Sequence, residues 1–232
     1  MTDTAHAPER HLLGALLGTY LAKVVSVEDP EHLARVQVRL LTAPEALADA
    51  TVALWARVAV PFSGGGRGAL FLPDKDDEVA VVFAGGDPRQ PLVVGGLWNG
   101  SARPPELPGG ARVDRYVIKA RNGSRIAIVE ASEVTAQIKL EVPGGVSATL
   151  NQAEGGELTL EAAGNTVTLS PEGVTVRAAT KVTVNASEVE VSAGQVTVNA
   201  AMSSFSGVVK CDVLQTNAVQ GVTYTPGAGN VW

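Results

Sequence analysis

The chain has one cysteine, Cys211, so no disulfide can close within it, and its assembly fits a reducing compartment. Aromatic residues are scarce at 4%, while hydrophobic residues reach 45%, so any core must be built from Val, Leu, Ile and Ala. There is no basic run to track a phosphate backbone. A net charge of −6 and a pI near 5.1 argue against a nucleic-acid surface. The three histidines, His6, His11 and His32, all fall in the first 32 residues, which leaves the C-terminal part without a histidine metal site. A long hydrophobic run is also missing. The most apolar stretch, HLLGALLGTYLA at 11–22, stops at Lys23, well short of the ~20 residues a membrane span needs, and lacks the small-x-small pair of a signal-peptide cleavage site. It is expected to be an N-terminal arm, residues 1–18, that packs on a neighbouring surface.

Motifs that carry chemistry are equally sparse. SGGGRG at 63–68 lacks the Gly-Lys-Ser/Thr ending that grips phosphates, and it reads as a turn. DKDDE at 74–78 groups four carboxylates, yet it stands between two strand patterns and reads as a solvated loop rather than a calcium or acid–base site. Asn99-Gly-Ser101, Asn122-Gly-Ser124 and Asn185-Ala-Ser187 match the glycosylation sequon, and all three read as turns. No G-x-S-x-G and no Cys/His pairing offers a nucleophile. The expectation is a protein without catalytic, metal or cofactor sites.

What the sequence does contain is short alternating strands. They stand at 23–27, 35–40, 52–60, 78–83 and 92–98, separated by the turn signals Asp29-Pro30, Gly64-Gly65-Gly66, Pro73-Asp74 and Asp87-Pro88. This pattern suits a small closed barrel of the OB type over 19–102. RPPELPGG at 103–110 then marks a linker or stiff corner, taken as 103–114. Further runs follow at 117, 126, 138, 158 and 167, and they lead into four V-x-V units.

These units, Val174/Val176, Val182/Val184, Val189/Val191 and Val196/Val198, belong to a repeat whose strand starts lie about 7.6 residues apart from 158 to 196. No proline interrupts 172–225. In each unit both valines face one side and the middle Thr or Glu faces the other. Burying two valines contributes roughly 3–6 kcal/mol. Fixing seven or eight backbones costs roughly 1–2 kcal/mol each, so a repeat cannot stand alone. A homotrimer is expected, its three chains wound into a prism with the eight valines on the axis. The shaft would run over 115–210 and the tip over 211–232.

A family resemblance now stands on particular residues. VSVEDPEHLARVQVRL, followed by WARVAVPFSGGGRGALFLPDKDDEVAVVFAGGDPRQPLVVGGLWNG, resembles the barrel domain of phage baseplate assembly protein V and of VgrG-type spikes. The resemblance is carried by Asp29-Pro30, Arg35-Val36, Trp55, Arg57-Val58, Gly68, Pro73, Asp77-Glu78-Val79, Phe83, Gly86-Asp87, Pro91 and Asn99-Gly100. RYVIKARNGSRIAIVE at 115–130 is similar to that family's entry into its spike. Two departures are Ala34 and Asp76, which stand where the family has glycine. Some relatives place a lysozyme domain between barrel and spike, and the passage from Gly100 to Arg115 leaves no room for one.

The resemblance implies an all-β protein, an OB-fold-like barrel followed by an intertwined trimeric β-helix, serving as the structural spike of a contractile injection system. It implies a baseplate hub protein at the barrel end, only transient passage through a target membrane, and assembly in the cytoplasm into a phage-tail-like particle. It also implies a small conical cap of the PAAR-repeat kind at the other end. The seat of that cap is expected at Tyr224, Pro226, Gly227, Gly229, Asn230, Val231 and Trp232, where glycines and proline end strand pairing and an apolar pair closes the chain. Two rivals are a receptor-binding trimeric tail fibre and a polysaccharide-cleaving β-solenoid. The first would favour an exposed aromatic or variable tip domain, whereas the tip here is short; the second would need clustered Asp/Glu, Arg or Lys on an outer face, whereas the outward positions of the repeats are mostly Thr and Glu190.

Overall fold

A computed structural model describes residues 16–42, 52–132 and 134–223, which divide into two units, Met1–Lys181 and Val182–Trp232. The expected cap seat, Tyr224 to Trp232, lies outside the described residues, as does the arm up to residue 15. Among the described residues no helix is long and apolar enough to cross a membrane.

The first unit opens with a closed five-stranded barrel. Its strands are β1 (Tyr20–Ser26), β2 (Val36–Leu40), β3 (Leu54–Val58), β6 (Glu78–Phe83) and β7 (Pro91–Leu97). They close in the order β1-β2-β3-β7-β6, every pair antiparallel except β3–β7. Period-two alternation turns Ala22, Val24, Val36, Val38, Ala56, Val79, Val81 and Val93 inward, and each is fully buried. Tyr20 meets Phe83 edge-on with ring centroids 5.5 Å apart. Leu16, at the end of the arm, is buried in this same core, and its N–H donates to the Gly86 carbonyl at 3.0 Å. The arm thus begins to pack on its own barrel. SGGGRG folds as the expected turn, a small hairpin of β4 (Ser63–Gly64) and β5 (Arg67–Gly68).

Beyond the linker the same unit forms a second sheet. It comprises β8 (Arg115–Lys119), β9 (Arg125–Ser132), β10 (Thr135–Val142), β11 (Val146–Asn151), β12 (Glu157–Ala162), β13 (Asn165–Ser170) and β14 (Gly173–Arg177). Neighbours in sequence are neighbours in space, so the sheet is a continuous antiparallel meander. Its turns are tight. Ala163-Gly164 joins β12 to β13 with φ of 50° and 79°, the pair of left-handed residues that matches the twist of a two-residue hairpin.

This corrects one expectation. The shaft was expected to wind strands from three chains together from residue 115 onward, but over 115–177 each strand pairs with its own chain. The reason lies in the spacing: strands of five to eight residues have enough ladder bonds to close hairpins locally. The second unit differs. From Val182 to residue 223 no strand is formed, and the V-x-V units from Val182 to Val198 are exposed, Val184 at 71%. Three-residue strands separated by four or five turn residues offer too few ladder bonds to offset their backbone entropy within one chain.

Candidate assembly face

The register of the meander aligns its apolar residues without a break. One row runs Tyr116, Ile128, Ile138, Leu150, Leu158, Leu169 and Val174, each directly opposite the next. A second row runs Ile118, Ile126, Leu140, Ala148, Leu160, Val167 and Val176. Both rows lie on one face because they stand two residues apart along every strand. The face is not covered: Leu140 is 45% exposed, and Ile126, Ile138, Leu150, Leu160 and Leu169 are similar. Across it lies a hollow of about 700 Å³ lined by Ile118, Ile126, Leu140, Ala148, Leu160 and Val167.

The opposite face is polar. Thr149, Thr159, Thr168 and Thr175 form a continuous threonine row. Arg125 on β9 pairs with Glu141 on β10 at 2.6 Å, and Lys139 reaches Glu141 at 2.8 Å. Lys139, and then Arg125, hold the Glu141 carboxyl below its usual range. A sheet with one aliphatic and one polar face is made to pack on something through the aliphatic side. Burying the remaining exposed area of fourteen side chains at about 1 kcal/mol each would contribute on the order of 10 kcal/mol per chain. Such a face is too large to be incidental.

Of the eight valines expected on the axis, Val174 and Val176 are on this face, in β14. Val182, Val184, Val189, Val191, Val196 and Val198 belong to the second unit, where they are exposed. The isoleucines and leucines of β8 to β13 were not among the expected axis residues. Their signal was present in the alternation of I-A-I, I-K-L-E-V and L-T-L, the same period-two pattern at longer spacing.

The barrel shows why its motif residues recur as a set. Asp29, 7% exposed, accepts N–H bonds from Glu31 (3.1 Å), Leu33 (2.9 Å) and Arg35 (3.2 Å), and its carboxylate is gripped by the Arg35 guanidinium at 2.7 Å. Arg35 in turn lies over the Trp55 ring, 5.6 Å from its centroid. The Arg35 side chain, aided by these backbone donors and opposed by burial, holds the Asp29 carboxyl far below its usual range. The Asp-Pro, Arg-Val and Trp motifs therefore form one structural knot at the barrel's edge.

The acidic turn is also structural. Asp74 N–H donates to Asp77 at 2.8 Å, Asp76 N–H to the Val24 carbonyl at 2.9 Å, and Lys23 pairs with Asp76 at 2.8 Å. Among the described residues no cluster of His, Cys, Asp and Glu is arranged to hold a metal. Ala34 and Asp76, the two departures from the resemblance, have left-handed backbones with φ of 56° and 75°. Asn99 and Asn122 cap turns as expected, accepting from Ser101 N–H (2.9 Å) and Ser124 N–H (3.0 Å).

Comparison with known proteins agrees with this geometry. Residues 20–98 match the family described as the Type VI secretion system/phage-baseplate injector OB domain. Over 118 residues the chain is 34% identical to the type VI secretion system spike protein VgrG4b of Pseudomonas aeruginosa. The match covers 49% of this chain and 14% of that relative's length. The barrel thus matches the injector-family OB domain across all five of its strands, and the resemblance to VgrG-type spike proteins read from the sequence is borne out.

Proposed function

We propose that this chain is the structural spike of a contractile injection system baseplate and works as a homotrimer. The observation that carries the reading is the bare aliphatic face of β8–β14, joined in one unit to an injector-family barrel. Three such faces turned toward a common axis bury one another and leave the threonine rows outside, giving a three-sided prism. The V-x-V units from Val182 to Val198 continue the prism, each supplied with ladder partners by the other two copies. Association costs roughly 4–15 kcal/mol, which an apolar contribution of the size estimated above, made by every copy, can exceed.

In this reading the barrel docks on the hub, and the prism is driven through a target envelope when the sheath contracts. Passage is mechanical, because a rod with a polar outer face gains nothing by staying in a bilayer. The C-terminal segment Tyr224 to Trp232 seats a PAAR-like cap, and the chain performs no catalysis. It is made and assembled in the cytoplasm as part of a phage-tail-like particle. Light scattering should give a mass near three times the 23.9 kDa of one chain. A well-folded monomer at micromolar concentration would sink the proposal.

A further inference from the structure

The proline-rich segment between barrel and sheet is the place where a hinge would be expected, yet it is tied at its start, its middle and its end. At its start Asn99 donates from Nδ2 to Glu78 of β6 at 2.9 Å, and its Oδ1 accepts from the Ser101 and Ala102 amides at 2.9 and 2.8 Å. At its end Gly109 N–H donates to Asp114 Oδ1 at 3.1 Å, and the Glu130 amide of β9 donates to the Asp114 carbonyl at 2.7 Å. Between these points stands Glu106, flanked by prolines at 104, 105 and 108 that hold φ near −65°.

Glu106 reaches across the polar face of the sheet. Its Oε1 accepts from Arg125 Nε at 2.6 Å, and its Oε2 from Arg115 Nη1 at 3.3 Å. Arg125 continues to Glu141, so the clasp joins the linker to β8, β9 and β10. All four side chains are at least two-thirds buried. Ala127, on this polar face two positions from Arg125, is fully buried. A second tie runs outside the linker: Arg121, in the turn between β8 and β9, pairs with Asp74 of the barrel's acidic turn.

We propose that residues 103–114 form a locked strut rather than a hinge, with Glu106 as the positioning residue that locks it and Arg121–Asp74 as a brace beside it. Glu106, Arg115, Arg125 and Glu141 are charged and each binds two partners, and charge-assisted bonds in a half-buried setting resist opening more than neutral ones do. Proline supplies stiffness along the segment, and the clasp prevents it from swinging about its ends. A strut of this kind lets barrel and sheet move as one body. The lock is a property of this chain alone, and only its use in carrying thrust rests on the spike reading.

The test is hydrogen exchange on the full chain, comparing wild type with Glu106→Gln and Arg121→Ala. Glu106→Gln should speed exchange at the Gly109 and Glu130 amides by at least about tenfold, since local opening sets those rates, while Val24 and Val38 in the barrel keep theirs. Arg121→Ala should give a smaller change at the same amides. If Gly109 and Glu130 exchange equally fast in wild type and Glu106→Gln, the clasp holds nothing and the proposal fails. It also fails if the barrel amides accelerate by the same factor, because Glu106 would then support the fold at large. Light scattering on the same samples reports the trimer separately, so loss of the lock and loss of the spike reading are distinguishable.

Discussion

The barrel and the sheet of the first unit are made of the same material and come to opposite ends. Both are built from strands in which Val, Ile, Leu and Ala alternate with polar residues. In the barrel, β1 returns to pair with β6, so every inward side chain meets another and Val24, Val38, Val79, Val81 and Val93 lose all contact with water. In the sheet, β8 and β14 never meet, and fourteen apolar side chains remain on an open face. Composition is therefore not what separates a self-sufficient domain from an assembly module. Closure is. A sheet that bends far enough to pair its own edges completes a core alone, and one that stays open needs a partner.

The sharpest way to break this contrast is to place a charge on the open face. Leu140→Asp would bring a carboxylate into the centre of the apolar rows, at a cost of several kcal/mol per copy once partners exclude water. The proposed trimer should be lost while the barrel persists, read as a threefold drop in light-scattering mass with unchanged amide protection at Val24 and Val81. An unchanged mass would mean that the face is not the seam between copies.

A weaker perturbation separates the regions by pH. Asp29 has a folded-state pKa held below its unfolded value by Arg35 and three backbone donors. Its stabilisation is therefore complete above the ordinary carboxylate value, near ~4, and declines as pH falls below it. Asp29→Asn should lower barrel stability at pH 7, with the deficit shrinking as pH falls from about 4 toward 2. Chemical denaturation at several pH values checks this, and a deficit independent of pH would remove the charge from the explanation.

The smallest expected effect sharpens the comparison from the loop side. Ala34 holds a left-handed φ of 56°. Ala34→Gly should relieve about 1 kcal/mol of that strain, partly offset by the greater freedom of glycine in the unfolded chain. A net gain of a few tenths of a kcal/mol in barrel stability, with no change in mass, is the expected result. A loss would show that the loop draws on the Ala34 methyl group for packing.

Much of the barrel was legible in sequence because alternation and turn chemistry are local. The runs at 23–27, 35–40, 78–83 and 92–98 correspond to β1, β2, β6 and β7 within three residues at each end. One strand of the sheet, β11, was not legible: Val146-Ser147-Ala148-Thr149-Leu150 keeps the alternation, but its small residues mute the apolar signal. The assembly face was only partly legible. The V-x-V units drew attention to Val174 and Val176, while the longer-spaced isoleucine and leucine strands that form most of the face were not gathered into one surface.

What the sequence determined by itself was the strand material, the turn positions and the side on which each apolar residue falls. All of these follow from period-two geometry and the conformational limits of Gly, Pro and Asn. The tertiary structure alone decided that β8–β14 pair within one chain, that Asp29, Arg35 and Trp55 form one knot, and that Glu106 spans the linker to Arg115 and Arg125. These are contacts between residues that no local rule brings together. Strand direction and closure carry them to within hydrogen-bond reach, because register, once set by one pair of strands, is passed to every neighbour in the sheet.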